Sequence, residues 1–293
     1  AGGGTEVRVR VERQLPVPPA RAWEIWLQYA WRQGGGLPVL CLANDDVELG
    51  ASRTLYPAAL SEELTSLAPG AEVGYRVTSW GLFLGLSDHQ GVVQFSESDS
   101  GCSLRWDVRF SCALAVRGFW EAVTAAFVGE VASNLQAVLE EPSITVSIEQ
   151  DLPAPPQRAL AAAVDFVWRR GGGWPFLPPQ LLDPGDPATG QGLTRRVLPP
   201  RLVERVRRVS LGAPGGSPPT LEYSVENPGM LTLYPAAAHA GTMEFLELGS
   251  QSSKLVWTVR CLPLPSCAGF VRTFTGAVIR RLAANLAAHL GAG

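Results

Sequence analysis

The sequence predicts an α+β protein built from two tandem copies of one domain, each a curved antiparallel sheet wrapped around a long C-terminal helix. Three observations predict it: a colinear internal repeat, a succession of period-two segments within each copy, and a switch to helical periodicity at the end of each copy.

The repeat comes first. Residues 7–40 align with 144–177 without a gap, so that Val9, Glu12, Leu15, Pro16, Pro18, Pro19, Arg21 and Ala22 face Val146, Glu149, Leu152, Pro153, Pro155, Pro156, Arg158 and Ala159. Trp31, Arg32, Gly34, Gly35, Gly36 and Pro38 then face Trp168, Arg169, Gly171, Gly172, Gly173 and Pro175. With small insertions the register continues: Gly50, Arg53, Pro57 and Leu60 meet Gly192, Arg195, Pro199 and Leu202, and Tyr75, Val77 and Gly81 meet Tyr223, Val225 and Gly229. Further on, His89, Gly91 and Phe95 meet His239, Gly241 and Phe245, and Leu104, Trp106, Val108, Arg109, Asn134 and Leu135 meet Leu255, Trp257, Val259, Arg260, Asn285 and Leu286. Composition bias does not keep Trp, His and Tyr in register, so the chain of 293 residues is a duplication. The expected domains are 5–141 and 143–291, joined by a short linker at Glu141 to Ser143. The second copy carries extra Pro/Gly-rich stretches at 178–192 and 212–219, read as surface loops.

Within a copy, Val7, Val9 and Val11 alternate with Arg8, Arg10 and Glu12, the period of a strand with one wet face. A helix is expected from Ala20 to Arg32: Pro18 and Pro19 suit a helix start, and Gly34 to Gly36 can take the left-handed conformation that ends it. Period-two segments at 47–56, 61–67, 72–79, 89–96 and 103–112 read as sequential antiparallel strands. In the last, Leu104, Trp106, Val108 and Phe110 share one face and Arg105, Asp107 and Arg109 the other. From Gly118 to Glu140 the stripe Trp120, Val123, Phe127, Val131, Leu135 and Val138 marks the closing helix, repeated as Val271, Phe274, Val278, Leu282, Leu286 and His289.

Composition narrows the function. Net charge is −3, with 24 basic and 27 acidic residues, so no global field draws nucleic acid, and no nucleic-acid partner is expected. Five cysteines without a CxxC pair argue against a disulfide framework or a zinc site and suit a reducing compartment. No run of about 18 apolar residues occurs, so no transmembrane segment is expected. A soluble protein is expected, cytoplasmic or, with a transit peptide removed ahead of the AGGG start, in an organelle such as a plastid. No Ser-His-Asp order, HExxH or nucleotide fingerprint is present; the glycine runs follow a helix, the wrong end for an anion. No catalytic residue, metal or cofactor is therefore assigned. His89 and His239 lack a Glu, Asp or Cys partner kept in both copies and read as surface or loop packing; His289 reads as part of the helical stripe. Arg105, Arg109, Arg260, Arg205, Arg207 and Arg208 leave the apolar face by parity and read as solvated.

The order of elements, with LPVPPARAWEIW, GASRTLYP followed by LSEELTSL, Tyr75-x-Val77 and Trp106-x-Val108-x-Phe110, resembles the START-like helix-grip superfamily. Within it the likeness is to the polyketide cyclase/dehydrase and lipid-transport (SRPBCC) family, across both copies. The resemblance implies a helix-grip fold with a cavity between sheet and long helix that holds a lipid, isoprenoid or pigment. It also implies candidate ligand-binding residues: Arg53, Tyr75, Trp106, Val123 and Phe127 in the first copy, and Arg195, Tyr223, Trp257, Phe274 and Val278 in the second. The aromatic residues offer apolar faces with one polar atom each, and Arg53 and Arg195 are candidates for a buried guanidinium that meets a carboxylate or carbonyl. Non-catalytic binding or carriage is the leading expectation. The alternatives are a didomain polyketide aromatase/cyclase and a scaffold subunit with closed cavities, docking a larger complex through the second-copy loops. The exchange of Trp23, Trp26 and Tyr29 for Leu160, Ala163 and Phe166 leads to the expectation that the two pockets differ.

Overall fold

The protein is described by a computed structural model covering residues 4–292, apart from 38, 44–46, 57, 81–84, 175–176, 199–201, 214–215 and 227–233. Pro38, Pro57, Gly81, Pro175, Pro199 and Gly229 of the repeat lie outside the described residues.

In strand β1 (Thr5–Leu15) the alternating valines turn inward: Val7 and Val9 are buried while Arg8 and Arg10 stay wet. The strand pairs antiparallel with β7 (Gly101–Cys112), whose Leu104, Trp106, Val108 and Phe110 share the buried face. Between them lie β2 (Leu40–Ala43), β3 (Ser52–Tyr56), β4 (Leu60–Ala68), β5 (Glu72–Ser79) and β6 (Leu86–Ser98). All pair antiparallel in the order β1-β7-β6-β5-β4-β3-β2. The second sheet repeats this as β8 (Ile144–Leu152), β14 (Ser252–Pro263), β13 (Ala236–Gly249), β12 (Thr220–Val225), β11 (Leu202–Ser210), β10 (Thr194–Leu198) and β9 (Leu177–Asp183). Register shifts fall at repeat-equivalent places, after Leu64 and after Val206, and such bulges bend and twist a strand. The chain divides into two compact units, Ala1–Glu141 and Pro142–Gly293.

Helix α1 (Pro19–Ile25) starts on a proline and widens into a π-helical turn, Trp26–Trp31; α3 (Pro156–Ala162) does the same at Ala163–Arg169. Each turn runs into its glycine triplet, all six glycines having positive φ. Asn134 Nδ2 donates to Gly35 O at 3.1 Å and Asn285 Nδ2 to Gly172 O at 2.9 Å, which ties each triplet to the long helix of its unit. Those helices are α2 (Arg117–Glu140) and α4 (Ala268–Gly291).

Several expectations need correction. The stretch 178–192 is not loop throughout, since Leu177–Asp183 is an exposed edge strand. The buried face of α2 is Val128, Val131, Ala132, Leu135, Val138 and Leu139, while Trp120, Val123 and Phe127 are only half-buried. His289 is exposed and stacks on Phe166, with ring centroids 4.3 Å apart, instead of entering the core. The span Leu114–Glu140 is long and apolar enough to cross a membrane by length and composition. Its buried residues nevertheless pack on β1, as those of a core helix do.

Candidate functional site

The polar centre of each unit is an arginine that closes a helix. The final carbonyls of a helix have no donors within it, and the π-helical turn ends by facing the sheet. In the first unit Arg53, on β3, donates from Nη1 to Ala30 O and Trp31 O at 2.5 and 2.9 Å. Its Nε meets Glu62 Oε2 at 2.5 Å, and its Cζ lies 4.4 Å from the centre of the Trp31 ring. Arg195, on β10, repeats every contact: Nη1 donates to Val167 O and Trp168 O, Nε and Nη2 meet Glu204 Oε2 at 2.7 and 2.6 Å, and Cζ sits 4.3 Å from the Trp168 ring centre. Both pairs are direct cross-strand partners, Arg53 opposite Glu62 and Arg195 opposite Glu204, and all four side chains are buried. A cation at a helix C-terminus also meets the negative end of the helix dipole. These guanidiniums are thus matched inside the fold, with little left to offer a ligand carboxylate.

Beside each arginine lies a ring cluster. Trp106 Nε1 donates to Tyr75 Oη at 3.1 Å, and Trp257 Nε1 to Tyr223 Oη at 3.0 Å. Tyr75 is paired across strands with Gly91, and Tyr223 with Gly241. A Cβ on either glycine would come within 2.2 Å of the tyrosine ring, so the ring lies flat over a residue that has to be glycine. Burial drives both phenols well above their usual pKa, which keeps them neutral.

The units then diverge. In the first, Trp26 is fully buried, with its ring centre 6.5 Å from that of Trp31 and 5.6 Å, edge-on, from that of Trp106. In the second, Ala163 takes its place, and the equivalent rings Trp168 and Trp257 line a cavity of about 30 Å³. Arg195, Glu204 and Tyr223 also line it, with Tyr234, His239 and Thr275 on one wall. Trp174, Phe274 and Val278, all half-buried, form its outer edge. Tyr234 Oη lies 2.8 Å from His239 Nδ1, 2.8 Å from Thr275 Oγ1 and 3.2 Å from Cys261 Sγ. Burial lowers the His239 pKa to about 3 and lifts the Cys261 thiol to about 11, so the cluster is a neutral hydrogen-bond network and not a thiolate–imidazolium pair. The first unit has Phe110 where Cys261 stands, and His89 stacks on it at 6.0 Å.

Five residues named from the sequence therefore meet at one cavity: Arg195, Tyr223, Trp257, Phe274 and Val278. Arg53, Tyr75 and Trp106 form the matching cluster around Trp26 and Trp31, while Val123 and Phe127 lie half-buried on α2 at the positions of Phe274 and Val278. Both histidines, read as surface or loop packing, sit among rings: His89 between Tyr75, Trp80 and Phe110, and His239 beside Tyr223 and Tyr234. Sequence reasoning missed Glu62 and Glu204, although the Arg-to-Glu spacing is the same in both copies. It also missed Tyr234 and Cys261, for which the repeat gave no signal because the residues are not shared, and Thr275, which matches Thr124 of the first copy. Of the arginines read as solvated, Arg109, Arg207, Arg208 and Arg260 are exposed, with Arg109 on Gln90 at 2.6 Å, while Arg105 and Arg205 are half-buried.

A scan against protein families matches residues 6–140 to the model described as polyketide cyclase / dehydrase and lipid transport. No curated protein matches the chain. Among solved structures, the di-domain ARO/CYC StfQ from the steffimycin biosynthetic pathway aligns over 96% of this chain and 97% of its own, at 10% identity and a TM-score of 0.39. DynU16, a putative protein in the dynemicin biosynthetic locus, aligns over 98% and 96% at 18% identity and a TM-score of 0.33. Norcoclaurine synthase from Thalictrum flavum aligns over 48% of this chain and 98% of its own at 10% identity and a TM-score of 0.42. These likenesses are distant, and the fold rests on the topology described above. With a family match over nearly all of the first unit and a second unit that repeats its sheet strand for strand, the chain is a tandem duplication of one helix-grip fold, and its first unit matches the polyketide cyclase / dehydrase and lipid transport family.

Proposed function

We propose that the second unit binds a hydrophobic small molecule between its sheet and α4, and that the first unit is a filled copy serving as scaffold. The observation that carries this reading is the exchange of Trp26 for Ala163 at the centre of an otherwise shared ring cluster. The cavity is about 30 Å³, against roughly 300–1,000 Å³ for a typical ligand pocket, so binding requires the outer edge to open. Phe274 and Val278 are the side chains placed to move. Phe274 stacks at 5.8 Å on Phe270, which is 53% exposed, so an apolar path leads from solvent to the cavity.

Native mass spectrometry of the full chain against a panel of lipids, isoprenoids and pigments tests the reading. The wild type takes up one of them with a stoichiometry of one, and Ala163→Trp weakens that uptake about tenfold or more, a change of roughly 1.4 kcal/mol. The first unit already holds a tryptophan at this position, so the variant retains its fold, as thermal melting checks. A chain that takes up nothing from the panel overturns the proposal and leaves the scaffold alternative. The aromatase/cyclase reading is favoured by one observation, the hydrogen-bonded Tyr234–His239 pair on the cavity wall, a proton donor and acceptor that need no metal.

A further inference from the structure

Trp168 and His239 both line the cavity of the second unit, and among the described residues their buried ring nitrogens Trp168 Nε1 and His239 Nε2 have no partner. An indole N–H can only donate, and leaving it unmatched in a dry interior costs free energy. The His239 ring is already bonded to Tyr234 through Nδ1, so Nε2 is its one remaining polar atom. Among the described residues lining the cavity, Arg195 is the only cation and Glu204 the only anion, and they neutralise each other. Burial also holds His239 in its neutral form.

We infer that the ligand is uncharged and carries a ketone or hydroxyl oxygen that meets Trp168 Nε1 and His239 Nε2. This rests on the cavity being a ligand site. A carboxylate on the same skeleton is rejected because it would lose its hydration with no cation free to receive it. A plain hydrocarbon binds less well because both nitrogens stay unmatched.

Calorimetric titration of the full chain at pH 7 with acetonaphthone, naphthol, naphthalene and naphthoate tests this. The ketone or the alcohol binds about tenfold more tightly than either the hydrocarbon or the carboxylate. Trp168→Phe and His239→Phe each shrink the ratio of ketone or alcohol affinity to naphthalene affinity measured on the same variant. The wild-type series stands without the variants, should either fail to fold. Naphthoate binding as tightly as the ketone, or naphthalene matching the oxygenated probes, overturns the inference while the cavity remains a ligand site. Failure of all four probes, naphthalene included, overturns the underlying reading as well.

Discussion

Arg195 and Glu204 show how the same interaction type differs in worth with burial. The exposed pair Lys254–Glu149, at 2.9 Å, contributes little, because water screens it and two flexible chains must be ordered. Arg195 is buried, and removing it strands Glu204 along with the carbonyls of Val167 and Trp168. Arg195→Met is therefore expected to cost roughly 3–5 kcal/mol in urea denaturation, with Glu204→Leu in the same chain restoring much of it. A double variant no more stable than the single one would show that the arginine acts through its helix carbonyls alone. His239 adds a pH dependence. Its folded pKa, near 3, lies below the ordinary value of about 6.5, so between the two the unfolded chain binds the extra proton. Stability is present above the unfolded value and falls as pH drops, by up to about 1.4 kcal/mol per unit. Melting curves from pH 7 to pH 4 should be flatter for His239→Phe than for the wild type. The buried arginines were legible in the sequence, but their partners were not. Glu62 and Glu63 are adjacent, and a one-residue difference in register decides which of them faces inward.

At the scale of elements, the period-two strands and the closing helices were legible because one face of each is buried and the other wet. β2 and β9 escaped notice for the complementary reason: they are edge strands, and LPPQLLD reads as a loop. Two prolines are tolerated there because an edge strand need not donate toward solvent. The π-helical turns were hidden too, since a six- or seven-residue stretch is too short for its apolar period to separate from that of an α-helix. What fixes each turn is tertiary. The arginine holds its last carbonyls, while the N–H of Gly35 reaches back to Tyr29 O at 2.9 Å and that of Gly172 to Phe166 O at 2.7 Å. The Gly91 and Gly241 matches were visible as identities, yet only strand pairing reveals that each lies under a tyrosine ring.

For the whole molecule, duplication supplied two scaffolds, with a buried tryptophan at the centre of one and an alanine at the same place in the other. The shared residues, Arg53 with Glu62 and Trp106 with Tyr75, and their counterparts in the second unit, build the fold; the unshared Trp26, Tyr234 and Cys261 set what each interior can hold. If a single ring closes the first unit, Trp26→Ala should leave a void among Trp31, Tyr75 and Trp106 at a cost of about 3–5 kcal/mol, in the range of large-to-small changes in a packed core. Denaturation followed by amide exchange should place that loss in residues 5–141, with protection in the second unit unchanged, because each unit has its own buried core. A ligand taken up by the wild type with a stoichiometry of one should then approach two. The first unit still lacks Tyr234 and Cys261 equivalents among its described residues, so an apolar probe such as naphthalene would gain the second site more readily than a ketone. Loss of protection spread equally over both units, or an unchanged stoichiometry with the void present, would mean that Trp26 is not what separates the two interiors.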